Sequence, residues 1–202
     1  MRRAPVLVTV LVAALLAGLL SACSDDDKAT ELNGRRVDPP FTVNGLALED
    51  TDGASFSLTE DTDERLTLVF FGYSNCPELC GLVLGNLASA MTQLDDSDRE
   101  QVEVVFVTTD PDRDTPGVIR DYLDGYDPSF VGVTGALDDI AAVAGSVAVG
   151  MGDRLPSGGY EVDAHSTQVT GIDVDGQAPI YWPQTTSPGE YVDDIHALLK
   201  ED

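Results

Sequence analysis

The sequence predicts an α/β fold, a mixed sheet flanked by helices, and three observations carry that expectation. Leu66 to Tyr73 and Val102 to Thr108 are continuous apolar, β-rich runs of the kind found in strands buried on both faces. Each is followed by a segment whose apolar residues recur at helical spacing, and strand–helix–strand–helix alternation implies parallel pairing through crossovers. Near the carboxy terminus two apolar runs instead flank Asp175-Gly176, which implies an antiparallel hairpin added to that sheet.

Taken in order, Phe41-Thr42-Val43 and Phe56-Ser57-Leu58 read as an N-terminal hairpin around Asp52-Gly53, because Asp-Gly supplies the positive φ angles of tight turns. After the strand at Leu66, Pro77 suits a first helical turn, and Leu79, Leu82, Val83, Leu87, Ala90, Met91 and Leu94 lie at helical spacing. After the strand at Val102, Thr115 is a plausible N-cap with Pro116 at the first helical position. Phe130 to Thr134 reads as a shorter strand, and Leu137 to Val147 as a helix built on Ile140, Val143, Ala144 and Val147. Gln168 to Val174 and Ala178 to Trp182 form the late hairpin. Pro188 to Leu199 gives a closing helix with Tyr191, Ile195, Leu198 and Leu199 inward.

The amino terminus is organised differently. Arg2 and Arg3 precede an apolar run from Val6 to Leu20, and Ser21-Ala22 supply the small residues that a signal peptidase needs. The run is short for a bilayer-spanning helix, which takes about 20 residues. Leu20-Ser21-Ala22-Cys23 resembles a bacterial lipobox, which implies lipidation of Cys23. Ser24 to Pro40 is polar, with Asp25-Asp26-Asp27 and Pro39-Pro40 and no hydrophobic period, and reads as a tether. The expected organisation is therefore a signal peptide over 1–22, a lipidated flexible tether over 23–40 and one domain over 41–202.

The chain carries 11 basic and 36 acidic residues, a formal net charge of −25. Loss of residues 1–22 removes two arginines and no acid, so the mature chain is more acidic still. A polyanion of this kind is repelled by phosphate backbones and by anionic lipid, which excludes nucleic acid as a partner and leaves membrane attachment to the lipid.

The chemistry concentrates in Phe70-Phe71-Gly72-Tyr73-Ser74-Asn75-Cys76-Pro77-Glu78-Leu79-Cys80. If both cysteines lie in the first helical turn, a spacing of four residues puts them on one face about 6 Å apart. Two sulfurs so placed can meet one metal ion. The same separation falls within the span of about 4.4–6.8 Å that a disulfide bridges, so spacing leaves a metal site and a redox pair both open. A helix N-terminus is expected to lower the thiol pKa for either purpose.

Three motifs then occur together: FGYSNCPELC, DPDRDTP from Asp110 to Pro116, and YEVDAHS from Tyr160 to Ser166. In this order, behind a lipobox, they resemble the Sco/SenC family of copper-binding, thioredoxin-like proteins over about residues 40–200. The resemblance implies a thioredoxin-like domain that binds one copper, Cu(I) or Cu(II), through Cys76, Cys80 and His165. Two thiolates and an imidazole suit copper and zinc alike, but three protein ligands leave a site open for transfer, where a structural zinc usually has four. Two positions depart from the family pattern: Gly81 stands where a proline is usual, and Ala164 separates Asp163 from His165. Asp110 and Asp114 read either as hydrogen-bond partners that orient a ligand or as a turn with its cap. His196 reads as a solvated helix residue without a role.

The resemblance implies a membrane-tethered copper chaperone, a metallochaperone rather than an enzyme. Its partner would be the cytochrome c oxidase subunit carrying the dinuclear copper centre, on the extracytoplasmic face of a bacterial cell membrane. The alternative is a thiol–disulfide oxidoreductase in which Cys76 and Cys80 reduce target cysteines. A peroxidase-like reading, one thiolate attacking a peroxide and the other resolving it, finds no peroxide-binding motif.

Overall fold

The computed structural model describes residues 31–62, 64–153, 155, 160 and 166–201. Cys23 and His165 lie outside the described residues, as do the expected signal peptide and the first part of the expected tether.

Among the described residues eight strands form one mixed sheet: β1 Arg35–Thr42, β2 Leu48–Asp50, β3 Ser55–Phe56, β4 Leu66–Gly72, β5 Val102–Thr108, β6 Val131–Thr134, β7 Val169–Asp173 and β8 Gln177–Trp182. Their spatial order is β1-β8-β7-β4-β5-β6-β2-β3. Among the described residues the helices are α1 Leu79–Gln93, α2 Asp96–Arg99, α3 Pro116–Asp124, α4 Leu137–Ser146 and α5 Pro188–Leu198. The mixed sheet flanked by helices is the architecture that the apolar periodicity implies.

The centre of the sheet is β4, whose seven residues are all buried. It pairs parallel with β5, from Leu66 opposite Val102 to Gly72 opposite Thr108, and antiparallel with β7. Strand alternation sends Leu68 and Phe70 to one face, where Leu84, Leu87, Ile119, Leu123, Tyr191 and Ile195 pack from α1, α3 and α5. Val69 and Phe71 go to the other, covered by Ile140, Val143 and Ala144 of α4. This arrangement puts the ends of β4 and β5, and the start of α1, at one edge of the core.

The cap that the sequence suggests at Thr115 is present, and the closing helix adds a capping box beyond the sequence expectations. Thr115 accepts from the amide of Val118, with Pro116 at the start of α3, and Ser187 and Glu190 form a capping box on α5. Helix α2 is one turn long, too short to leave a periodic signal, and rests on Asp95 accepting from the Asp98 amide.

Two expectations are corrected. The N-terminal hairpin exists, but its strands are β2 and β3, with Leu48 opposite Phe56 and Gly53 at φ 81°. Phe41 instead lies in β1 on the opposite edge of the sheet, opposite Ala178 of β8. The turn is fixed locally, by Asp50 Oδ1 accepting from the amides of Asp52 and Ala54, so only immediate neighbours can zip behind it. Secondly, ordered structure begins before residue 41. Strand β1 starts at Arg35, inside the expected tether, and its register shifts between Arg36 and Phe41 where Pro39 and Pro40 interrupt the ladder. Prolines belong on edges and bulges, which is why this segment carries no strand signal.

The early start is pinned by Asp194 of α5, a buried carboxylate. It accepts from the amides of Asn33 and Gly34, at 2.9 and 2.7 Å, and from the indole Nε1 of Trp182 at 2.7 Å. Trp182 is the single tryptophan of the chain and is fully buried. Asp194→Ala leaves these donors unsatisfied and is expected to destabilise the fold by about 2–3 kcal/mol. Val174→Ala on the exposed hairpin tip should stay within about 0.5 kcal/mol. Urea unfolding followed by Trp182 fluorescence measures both.

Candidate metal centre

The site is built where β4 ends. Gly72 is its last residue, and a Cβ there would stand 2.9 Å from the Phe70 ring and 3.1 Å from Cys80 Sγ. The glycine therefore makes the room in which that sulfur sits. From Tyr73 the chain turns, with the Cys76 amide donating to the Tyr73 carbonyl at 3.2 Å, and α1 begins at Leu79.

This places Cys76 before the helix and not in its first turn, a correction to the expected geometry. The four-residue spacing still brings the two thiols together, because Cys76 Sγ accepts from the Cys80 amide at 3.3 Å. That amide is one of the donors a helix start leaves without an intrahelical partner. Glu78, at the cap position, makes no side-chain cap, so Cys76 serves in its place. Cys80 is fully buried and Cys76 half-buried, and both are free thiols.

The electrostatics of Cys80 run against the lowering expected at a helix start. Burial pushes its thiol well above the usual range, and the hydrogen bond with Cys76 adds to the rise. A backbone hydrogen bond from Tyr73 opposes them, and the negative charge of Asp114 raises the pKa further. A helix terminus alone does not offset the loss of water from a fully buried sulfur.

Asp114 resolves the open reading of the Asp110–Pro116 loop. Its carboxylate is buried and accepts from the Ser74 amide at 2.9 Å, from the Ser74 hydroxyl, and from Thr108 Oγ1 at 2.7 Å. It thus ties the loop after β5 to the loop carrying Cys76. Asp110 has a smaller part: it pairs with Arg113 at the surface, and its amide donates to Thr108 Oγ1 at 3.0 Å. Neither acid is in hydrogen-bond contact with a cysteine; Asp114 positions the loop and not the sulfur directly.

Two tyrosines of the α3 region close one side. Tyr126 sets its hydroxyl where a side chain on residue 81 would go, since a Cβ at Gly81 would stand 3.0 Å from it. It stacks edge-on against Tyr122 at 5.3 Å between ring centres. Burial raises the Tyr122 phenol pKa, a hydrogen bond with Tyr126 adds to it, and the cysteines contribute as nearby charges. Nothing in the sequence marks these residues, because α3 reaches the cysteines only through the fold. On the other side, a cavity of about 480 Å³ is lined by Tyr73, Cys76, Pro77, Glu78, Leu79, Thr167 and Gln184. His196 stands apart on α5 and is more than a solvated residue: Nδ1 lies 2.7 Å from Asp98 Oδ2 and Nε2 lies 2.6 Å from Lys200 Nζ.

Asp114→Ala is expected to cost about 2–3 kcal/mol, through buried donors left without a partner, whereas Asp110→Ala should cost less than about 1 kcal/mol. Thermal denaturation of the two variants separates them. The thiols should also differ: in the reduced protein iodoacetamide should modify Cys76 at least about tenfold faster than Cys80, followed by mass spectrometry of the digested protein. Because the folded chain holds the Cys80 proton more tightly than the unfolded one, this group's contribution to stability is full below its ordinary pKa of 9.0 and is lost as pH rises above it. Cys80→Ser should remove that part of the alkaline loss.

Known proteins share this fold. A family model described as SCO1/SenC matches residues 32–200. The mitochondrial protein SCO2 of Saccharomyces cerevisiae is 34% identical over 133 residues, which is 64% of this chain and 44% of that protein. This chain therefore spans under half the length of that relative. The solution structure of apo Sco1 from Thermus thermophilus superposes with a TM-score of 0.72 at 29% identity, covering 85% of this chain and 99% of that one. The crystal structure of yeast Sco1 with copper bound superposes at 0.70 with 28% identity, covering 81% and 91%. With a family model spanning the whole sheet and a paired-thiol site at the start of α1, the chain belongs to the SCO1/SenC family.

Proposed function

We propose that this protein is a copper chaperone that takes one tightly held copper between Cys76, Cys80 and His165 and passes it to the dinuclear copper centre of a cytochrome c oxidase. A lipid on Cys23 would hold it at the extracytoplasmic face of the membrane. The observation that carries the ligand set is the cavity beside the cysteines. Thr167, two residues beyond His165, lines it together with Cys76, which supports a histidine contributed from the same side as the outer sulfur. The copper-bound yeast relative supports the choice of metal.

The chain's own residues account for what such a site has to do. Two sulfurs sit within one turn of chain, so both can reach one ion without rearrangement of the core. Copper is the cargo; its soft affinity for thiolate displaces the proton that burial keeps on Cys80. Uptake therefore releases protons and strengthens with rising pH. Burial of Cys80 shields one sulfur from solvent, while half-buried Cys76 and the open cavity leave a face through which acceptor ligands can approach.

The same asymmetry favours a second reading. In thiol–disulfide exchange, an accessible thiol that attacks and a buried one that resolves is a workable pair. The two readings part on His165, which copper binding needs and exchange does not.

Copper(I) titration of the reduced protein against a chromogenic competitor tests the proposal. Cys76→Ser or Cys80→Ser should nearly abolish binding, His165→Ala should weaken it at least about tenfold, and His196→Ala should leave this tight site unchanged. Undiminished binding by His165→Ala, with disulfide reductase activity retained, would establish the exchange reading instead.

A further inference from the structure

A second group of metal-ligating side chains lies away from the cysteines. Asp95 precedes α2, Asp98 lies within it, and His196 projects from α5. One nitrogen of the imidazole and one oxygen from each carboxylate all fall within 4.8 Å of one another. Helix α1 separates this group from the thiols: it starts beside Cys80 and ends at Gln93, two residues before Asp95. Fifteen residues at a rise of about 1.5 Å each make a helix about 22 Å long, so the two groups cannot share an ion.

The donors differ in kind from those of the cysteine site. Imidazole and carboxylate suit divalent first-row ions, among which Cu(II) binds most tightly, whereas thiolates favour Cu(I). Asp98 is buried, 8% exposed, and its partner is the imidazole at 2.7 Å. The proton shared by Nδ1 and Oδ2 occupies the place a metal ion would take. With metal–ligand bonds of about 2.0–2.2 Å, the nitrogen and oxygen need to move apart by only some tenths of an ångström. The His196 side chain is 49% exposed and has room to turn. Asp95 caps α2 through Oδ1, and one oxygen of its carboxylate completes the set. Lys200 works against the ion: its ammonium is a rival cation 2.6 Å from Nε2. The net charge of −25 raises the local concentration of any divalent cation.

We propose that Asp95, Asp98 and His196 form a second metal site that takes a divalent first-row cation, Cu(II) most tightly, independently of the thiol pair. The test uses the full chain carrying Cys76→Ser, Cys80→Ser and His165→Ala. The sequence has two histidines, so His196 is then its sole imidazole, and the outcome does not depend on the function proposed for the cysteines. Copper(II) sulfate is titrated by calorimetry and followed by electron paramagnetic resonance. One ion should bind with a hyperfine pattern from a single imidazole nitrogen. Adding His196→Ala should remove that pattern and weaken binding at least about tenfold. Adding Asp95→Asn, which still caps α2 and leaves the Asp98–His196 pair in place, should weaken it several-fold. Adding Lys200→Ala should tighten it, a sign that a purely structural role for the cluster does not produce. Absence of a nitrogen-bearing Cu(II) signal, or affinity unchanged by both His196→Ala and Asp95→Asn, would overturn the proposal.

Discussion

The carboxylate of Asp114 is the constraint on which the geometry of the cysteine site rests. A buried anion is costly unless its lone pairs are filled, and here they are filled by Ser74, in the loop after β4, and Thr108, the last residue of β5. Parallel pairing of β4 with β5 brings Gly72 beside Thr108. Asp114 then continues that pairing beyond the strands, fixing the turn that carries Cys76. The position of the first sulfur is thereby inherited from the buried central strand pair.

The same logic recurs at the other two buried acids among the described residues. Asp194 joins α5, Trp182 and the chain entering β1. Asp98 joins α2 to α5 through His196. In a chain so rich in exposed acid, surface ion pairs such as Arg120–Asp124 contribute little. Carboxylates withdrawn from water, each with dedicated donors, do far more to specify which elements meet.

Asymmetry is the chemical theme of the cysteine pair. One sulfur is enclosed by β4, α1 and the space left at Gly72; the other caps the start of α1 and faces a cavity. Enclosure keeps the inner thiol protonated until something stabilises its thiolate, and exposure lets the outer one make first contact. Such an asymmetric pair fits the stepwise uptake and release that the proposed chaperone role would require.

How much of this was legible in the sequence can be argued residue by residue. The apolar runs at Leu66 and Val102, the Thr115-Pro116 start and the Asp175-Gly176 turn fixed their elements locally, because burial on both faces, capping and positive φ are properties of a few adjacent residues. The paired cysteines were equally visible, since four residues of chain cannot carry them apart. What the sequence could not decide involves partners distant along the chain. Phe41 pairs with Ala178, Asn33 with Asp194, Ser74 with Asp114, and Tyr126 fills the space beside Gly81. Local patterns cannot encode which strand an edge segment joins, or which carboxylate will be buried among which donors. The raised pKa of Cys80 belongs to the same class: a helix start was readable, but the loss of solvent that overrides it arises only when the sheet and three helices close around the sulfur.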